Sequence, residues 1–185
     1  MDTRNINADA ISTEGGFHFG DKDAPIKVIE FINLKCPYCK EWWEKGSPVL
    51  DKYVKDHKVE RIVKLFDKEK PSLRKGNVLH AHLDYNDLDS VRKDIDYYVE
   101  HLDDWGNLSD EQVAEYAQTQ RNADKQDNQA FSEAILTEAE TANVKFVPTV
   151  FIEDYIFDEH ITEEELEKII ETKLKRDEDR EPNTF

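Results

Sequence analysis

Residues 26 to 67 constrain the fold more tightly than any other stretch of the chain. "IKVIEFIN", residues 26 to 33, is apolar and largely β-branched on both faces, the pattern of a central strand covered on each side. From Cys36 the period changes. Pro37 takes the first-turn position that favours proline, and Trp43, Leu50, Tyr53 and Val54 follow at roughly helical spacing. Gly46 and Pro48 predict a kink or an interruption in that helix. "VERIVKLFD", residues 59 to 67, reverts to a strand pattern. Strand, helix and strand in this order make a β-α-β unit, for which a right-handed crossover and parallel pairing are the default.

The only two cysteines of the chain, Cys36 and Cys39, lie at the seam between the first strand and the helix. As half of a zinc site they need two more ligands, and His80 and His82 are the closely spaced candidates. As a structural disulfide they close a very short loop, which the chain-entropy estimate values at only about 2 kcal/mol. A redox pair fits the local pattern best. Cys36 stands at a helix N-terminus, where unpaired N–H groups and the positive end of the dipole favour thiolate. Cys39, one turn on, is placed to attack a mixed disulfide formed at Cys36 and release the partner.

Two other residues bear on this site. Glu30 lies in the apolar strand six positions before Cys36. If buried there, its ionised form is costly, its pKa rises, and it can relay a proton for Cys39. If it lies near the strand end it simply reaches water. Pro148 opens an apolar strand, "KFVPTVFIEDYIF", where proline signals an edge or a special peptide bond.

The remaining chain divides by pattern. Residues 1 to 16 read as a flexible lead, with a short strand near Phe17 to Phe19 and a turn at "DKDAP". Residues 69 to 142 are helical without a convincing strand, with a stripe from Leu88 to Leu102, a capping box at Ser109 and Gln112, and a second stripe from Phe131 to Ala139. After the strand pattern of 145 to 157, Thr162 and Glu165 make another capping box before a last amphipathic helix. Residues 176 to 185 read as a charged tail that frays.

The chain has 185 residues, enough for one domain with a sizeable insertion and its own core. With 42 acidic against 25 basic side chains the net charge is -17, which repels nucleic acid and anionic membrane surfaces. Its apolar runs fall far short of the roughly 18 to 20 residues of a membrane span, so a soluble chain is expected. "MDTRNINADAISTEGG" has neither the basic nor the apolar region of a secretory signal. A cytoplasmic location is therefore expected, or an extracytoplasmic one if a leader preceded this chain.

Taken together, the strand, Cys36-Pro37-Tyr38-Cys39 opening a helix, the second strand, the helical block, and Val147-Pro148-Thr149 opening a further strand resemble the thioredoxin superfamily. The helical block makes the chain look like the DsbA family of thiol-disulfide oxidoreductases. "GDKDAPIKVIEFINLKCPYC" is its most specific stretch, and the likeness covers roughly residues 17 to 175.

The resemblance implies an α/β, thioredoxin-like fold: a central mixed sheet flanked by helices, built from residues 17–68 and 143–175, with 69–142 as an inserted all-helical subdomain. It implies a protein dithiol-disulfide oxidoreductase with Cys36 as nucleophile, Cys39 as resolving thiol and Glu30 buried beneath them. Val147 and a cis Pro148 then pack against the disulfide and pair with substrate backbone, and Pro37, Tyr38 and Thr149 complete the substrate surface. Tyr38 stands where strongly oxidising members often have His. The implied partners are protein or peptide thiols and disulfides, with glutathione or a thioredoxin-type reductant beside them. No metal or organic cofactor is implied, and a monomer is expected. The competing readings are a glutathione-dependent transferase or isomerase, and a non-catalytic binding module anchored by Trp42 and Trp43.

Overall fold

The computed structural model describes residues 1–180. Its strands are β1 (Phe17–Gly20), β2 (Ile26–Ile32), β3 (Val59–Leu65), β4 (Thr149–Ile152) and β5 (Tyr155–Phe157). Its helices are α1 (Pro37–Lys55), α2 (Arg74–His80), α3 (Leu88–Glu100), α4 (Leu102–Trp105), α5 (Asp110–Arg121), α6 (Gln129–Thr141) and α7 (Glu163–Arg180). The strands form one mixed sheet in the order β1-β3-β2-β4-β5. Only β2 and β3 pair in parallel, and α1 is the crossover between them.

The period-2 alternation of the two central strands decides what each face meets. Ile26, Val28 and Ile32 of β2 join Val59, Val63 and Leu65 of β3 in the larger core, against Trp42, Val49 and Leu50 of α1 and Leu166 and Ile170 of α7. Ile29, Phe31 and Ile62 face the other way, toward Ile135 and Ala139 of α6. Both capping boxes form: Ser109 with Gln112, and Thr162 with Glu165.

Several expectations need correction. The helix through Gly46 and Pro48 is continuous from Pro37 to Lys55. Pro48 is exposed, and a Cβ on Gly46 would lie 2.8 Å from the Trp42 ring. The lead is not a free tether: it holds a 3-10 turn at Ala8–Ala10, Asn7 N donates to Ala142 O, and Ile6 and Ile11 pack on the second core.

Within residues 69–142, α6 covers the sheet, its Ile135 and Ala139 packing on Phe31 and Ile62, while α2 to α5 form a helical lobe beside it. The charged tail begins later than expected, since α7 runs to Arg180, and residues 181–185 lie outside the described region. Among the described residues no helix is long and apolar enough to cross a membrane.

Candidate dithiol active site

Cys36 is the N-cap of α1, with Pro37 in the first turn, which sets its sulfur at the positive end of the helix dipole. Both cysteines are free thiols and buried, at 4% and 3% exposure. The Cys36 thiol is pulled down to about 7, chiefly by the Cys39 S–H donating to it, against an opposing cost of burial. The backbone N–H groups of Cys39 and Tyr38 help lower it. Cys39 moves the other way: burial and the neighbouring sulfur push it well above the ordinary range. The two neighbouring thiols are thus driven in opposite directions, one toward thiolate and one away from it.

Other groups shape this electrostatic balance. The buried carboxylate of Glu159, on the segment between β5 and α7, opposes the thiolate at Cys36. Lys68 favours it, since negative charge on either cysteine stabilises its ammonium, although burial leaves the Lys68 pKa depressed overall. The Lys68 ammonium donates to Lys145 O at 2.6 Å and lies 3.7 Å above the Phe66 ring. Cys36 Sγ reaches Val147 O at 3.6 Å, and Cys39 Sγ accepts the Asn33 N–H at 3.4 Å.

The structure brings most of the expected residues to one place and reassigns some. The Val147–Pro148 peptide is cis, and its loop abuts Cys36. Pro37 and Tyr38 are exposed, Tyr38 at 58%, beside Cys36 in the chain. Phe146, two positions before Pro148, is exposed at 65%. Thr149 is a correction: its side chain is fully buried and donates to Phe146 O at 2.7 Å, so it shapes the loop and does not face a substrate. Trp42 and Trp43 are both buried and donate to Glu30 and Asp96, which removes them as exposed anchors.

Glu30 is fully buried and does not reach water. Nor is it a lone acid. Arg61 of β3 grips it with two hydrogen bonds of 2.8 Å, and the Trp42 indole donates at 2.9 Å. Arg61 also donates to Ser47 and stacks 4.4 Å from Trp43, so the ion pair is satisfied on every side. Sequence reasoning missed Arg61, although it lies on the same strand face as Val63, the residue paired with Glu30.

The two histidines considered for zinc are otherwise engaged. His80 bonds Asp67 and the Leu34 amide, and His82 Nδ1 bonds Val78 O.

A family model described as Thioredoxin matches residues 12–172. The chain belongs to the thioredoxin family. The structure of a conserved protein of unknown function from Enterococcus faecalis V583 is 46% identical, covers 92% of this chain and 98% of that one, and superposes with a TM-score of 0.90. The crystal structure of Wolbachia pipientis alpha-DsbA1 superposes with a TM-score of 0.67 at 18% identity, over 86% of this chain and 91% of that one, and shares the fold. Escherichia coli (strain K12) thiol:disulfide interchange protein DsbG is 47% identical over 32 residues, which is 17% of this chain and only 13% of that protein. The thioredoxin family and a DsbA-like fold are thus reached both from this architecture and from its relatives.

Proposed function

We propose that this protein is a dithiol-disulfide oxidoreductase that exchanges disulfides with protein or peptide substrates. The observation that carries the reading is the placement of two buried thiols one helical turn apart, Cys36 at the N-terminus of α1 and 3.6 Å from Val147 O of the cis-Pro148 loop, where the local electrostatics lower Cys36 and raise Cys39. Cys36 thiolate attacks a substrate disulfide, forming a mixed disulfide and expelling one substrate sulfur as thiolate. Cys39 then loses its proton to solvent and attacks Cys36 Sγ. The internal disulfide forms, the second substrate sulfur leaves, and the substrate is reduced by two electrons as the protein is oxidised. The reverse sequence oxidises a dithiol substrate.

Exposed Tyr38 lies two residues after Cys36, and exposed Phe146 precedes Val147, whose carbonyl lies 3.6 Å from Cys36 Sγ; both side chains supply apolar contacts for a peptide. Glu30, held by Arg61, is a structural base beneath the site in this reading. The glutathione-linked alternative is weaker, because a second cysteine in reach of the first resolves a glutathione adduct and does not preserve it.

The test is the reduction potential of the Cys36/Cys39 pair in a glutathione titration read by alkylation and mass shift. A value near the roughly -270 mV of thioredoxin makes this a reductase and fits the cytoplasmic location expected from the sequence. A value near the roughly -120 mV of DsbA makes it an oxidant of an oxidising compartment. Failure to form the disulfide at any poise refutes the reading.

A further inference from the structure

The loop Asn33–Lys35, which delivers the chain into Cys36, is gripped from below by α2. Leu34 N donates to His80 Nε2 at 3.2 Å. That nitrogen is therefore the unprotonated one, and Nδ1–H donates to Asp67 at 2.7 Å. Ser132 of α6 donates to the other Asp67 oxygen at 2.6 Å. Asp67 is held below its usual range, since the contacts with His80 and Ser132 outweigh its burial, and it stays the acceptor that the tautomer requires.

The same helix face holds the neighbouring residue. Asn33 donates its side-chain amide to Asn77 Oδ1 at 3.2 Å and to Phe66 O at 3.1 Å, and its own oxygen accepts Lys35 N at 2.9 Å. Gly76 makes the approach possible, because a Cβ there would lie 2.1 Å from Asn33 Oδ1. Asn128 then pins the end of α2 by donating to His80 O and Leu83 O. All these contacts converge on one donor, the Asn33 N–H aimed at Cys39 Sγ.

We propose that His80, oriented by Asp67 and Ser132, is a positioning residue for the resolving thiol. It holds the Leu34 amide so that the Asn33 N–H stays aimed at Cys39. This inference rests on the dithiol reading above and extends it to the second step. Cys39 is buried and its thiolate costly, so a fixed N–H donor matters when Cys39 attacks the mixed disulfide. By reversibility the same donor stabilises Cys39 as it leaves when the internal disulfide is opened. Cys36 draws on other donors, the Cys39 S–H and the N–H groups of Cys39 and Tyr38, so the first step is spared.

The test uses the full chain, reduced and mixed with oxidised glutathione, quenched in acid and read by mass. The adduct at Cys36 and the internal disulfide are then followed separately, and Cys36 reactivity is measured by alkylation. His80→Leu keeps bulk but offers no acceptor. It is expected to lengthen the adduct lifetime about tenfold, the scale of one lost hydrogen bond, with Cys36 alkylation within about twofold of wild type. His80→Gln, whose amide oxygen can accept the Leu34 N–H, is expected to restore most of the resolution rate.

An unchanged adduct lifetime in folded His80→Leu overturns the proposal, as does equal slowing in His80→Gln. If His80→Leu fails to fold by circular dichroism, Asp67→Asn, which releases the tautomer, must slow resolution in the same sense, and wild-type resolution in that variant also overturns it. A wild-type protein that forms neither adduct nor disulfide refutes the dithiol reading itself, a result distinct from any of these.

Discussion

Replacing Cys39 separates the helix N-terminus from the second thiol as the source of Cys36 acidity. The Cys39 S–H is the largest influence lowering Cys36 to about 7, ahead of the N–H groups of Cys39 and Tyr38. At that value about half of Cys36 is thiolate at pH 7, whereas an unperturbed thiol near 8.5 is only about 3% ionised. Cys39→Ala removes the S–H but keeps both backbone donors, so the Cys36 midpoint should rise about 0.5 to 1.5 units. Cys39→Ser retains a hydroxyl donor at the same place and should stay within about half a unit of wild type.

The readout must be a full pH titration of thiolate absorbance or of iodoacetamide reactivity. A single rate misleads, because each thiolate becomes more nucleophilic as its pKa rises, with a Brønsted slope of about 0.4 to 0.5. That gain offsets nearly half of the lost ionisation. A Cys39→Ala protein that titrates at the wild-type midpoint refutes the assignment, and the acidity then belongs to the helix terminus. Equal upward shifts in Cys39→Ala and Cys39→Ser refute it differently, by removing the hydrogen bond as the cause.

Three further outcomes follow from the same geometry. Arg61→Met leaves the buried Glu30 carboxylate without its main partner and should cost about 3 to 5 kcal/mol in urea unfolding, with Glu30→Gln in the same chain recovering part of it. Glu159→Gln removes a charge that opposes the thiolate, so Cys36 should titrate below about 7, which the same absorbance titration reads. Asp67 is depressed in the folded state, so its contribution is present above its unfolded pKa of about 3.9 and is lost as pH falls through the folded value. The stability gap between wild type and Asp67→Asn should therefore be widest near neutral pH and shrink in acid, as urea midpoints measured from pH 7 downward will show.

The parts of this molecule that were legible in its sequence are those written in local pattern. The two-faced apolar run of β2, the proline after Cys36, the strand pattern of β3 and the two capping boxes each report their own neighbourhood, and each appears where it was read. Composition misplaced boundaries where tertiary contact overrides it. The helix through Pro48 continues with Pro48 itself exposed, and α6 packs on the sheet, where its Ile135 and Ala139 cover Phe31 and Ile62. The hairpin between β4 and β5 turns without glycine because Glu153 itself adopts φ of 52°, with Lys173 of α7 bonded to Glu153 and Asp154.

What could not be read was pairing at a distance. Glu30 looks unsupported in one dimension, and only the parallel register of β2 on β3 places Arg61 on its face of the sheet. In the sequence His80 stands out only with His82, as the spaced pair that a zinc site on the two cysteines would need. Its actual partners come from three separate parts of the chain: Leu34 before α1, Asp67 after β3, and Ser132 on α6 through Asp67. The helical lobe is therefore more than a cover laid over a finished thioredoxin core. Its first helix reaches beneath the dithiol and holds the backbone on which the second thiol depends.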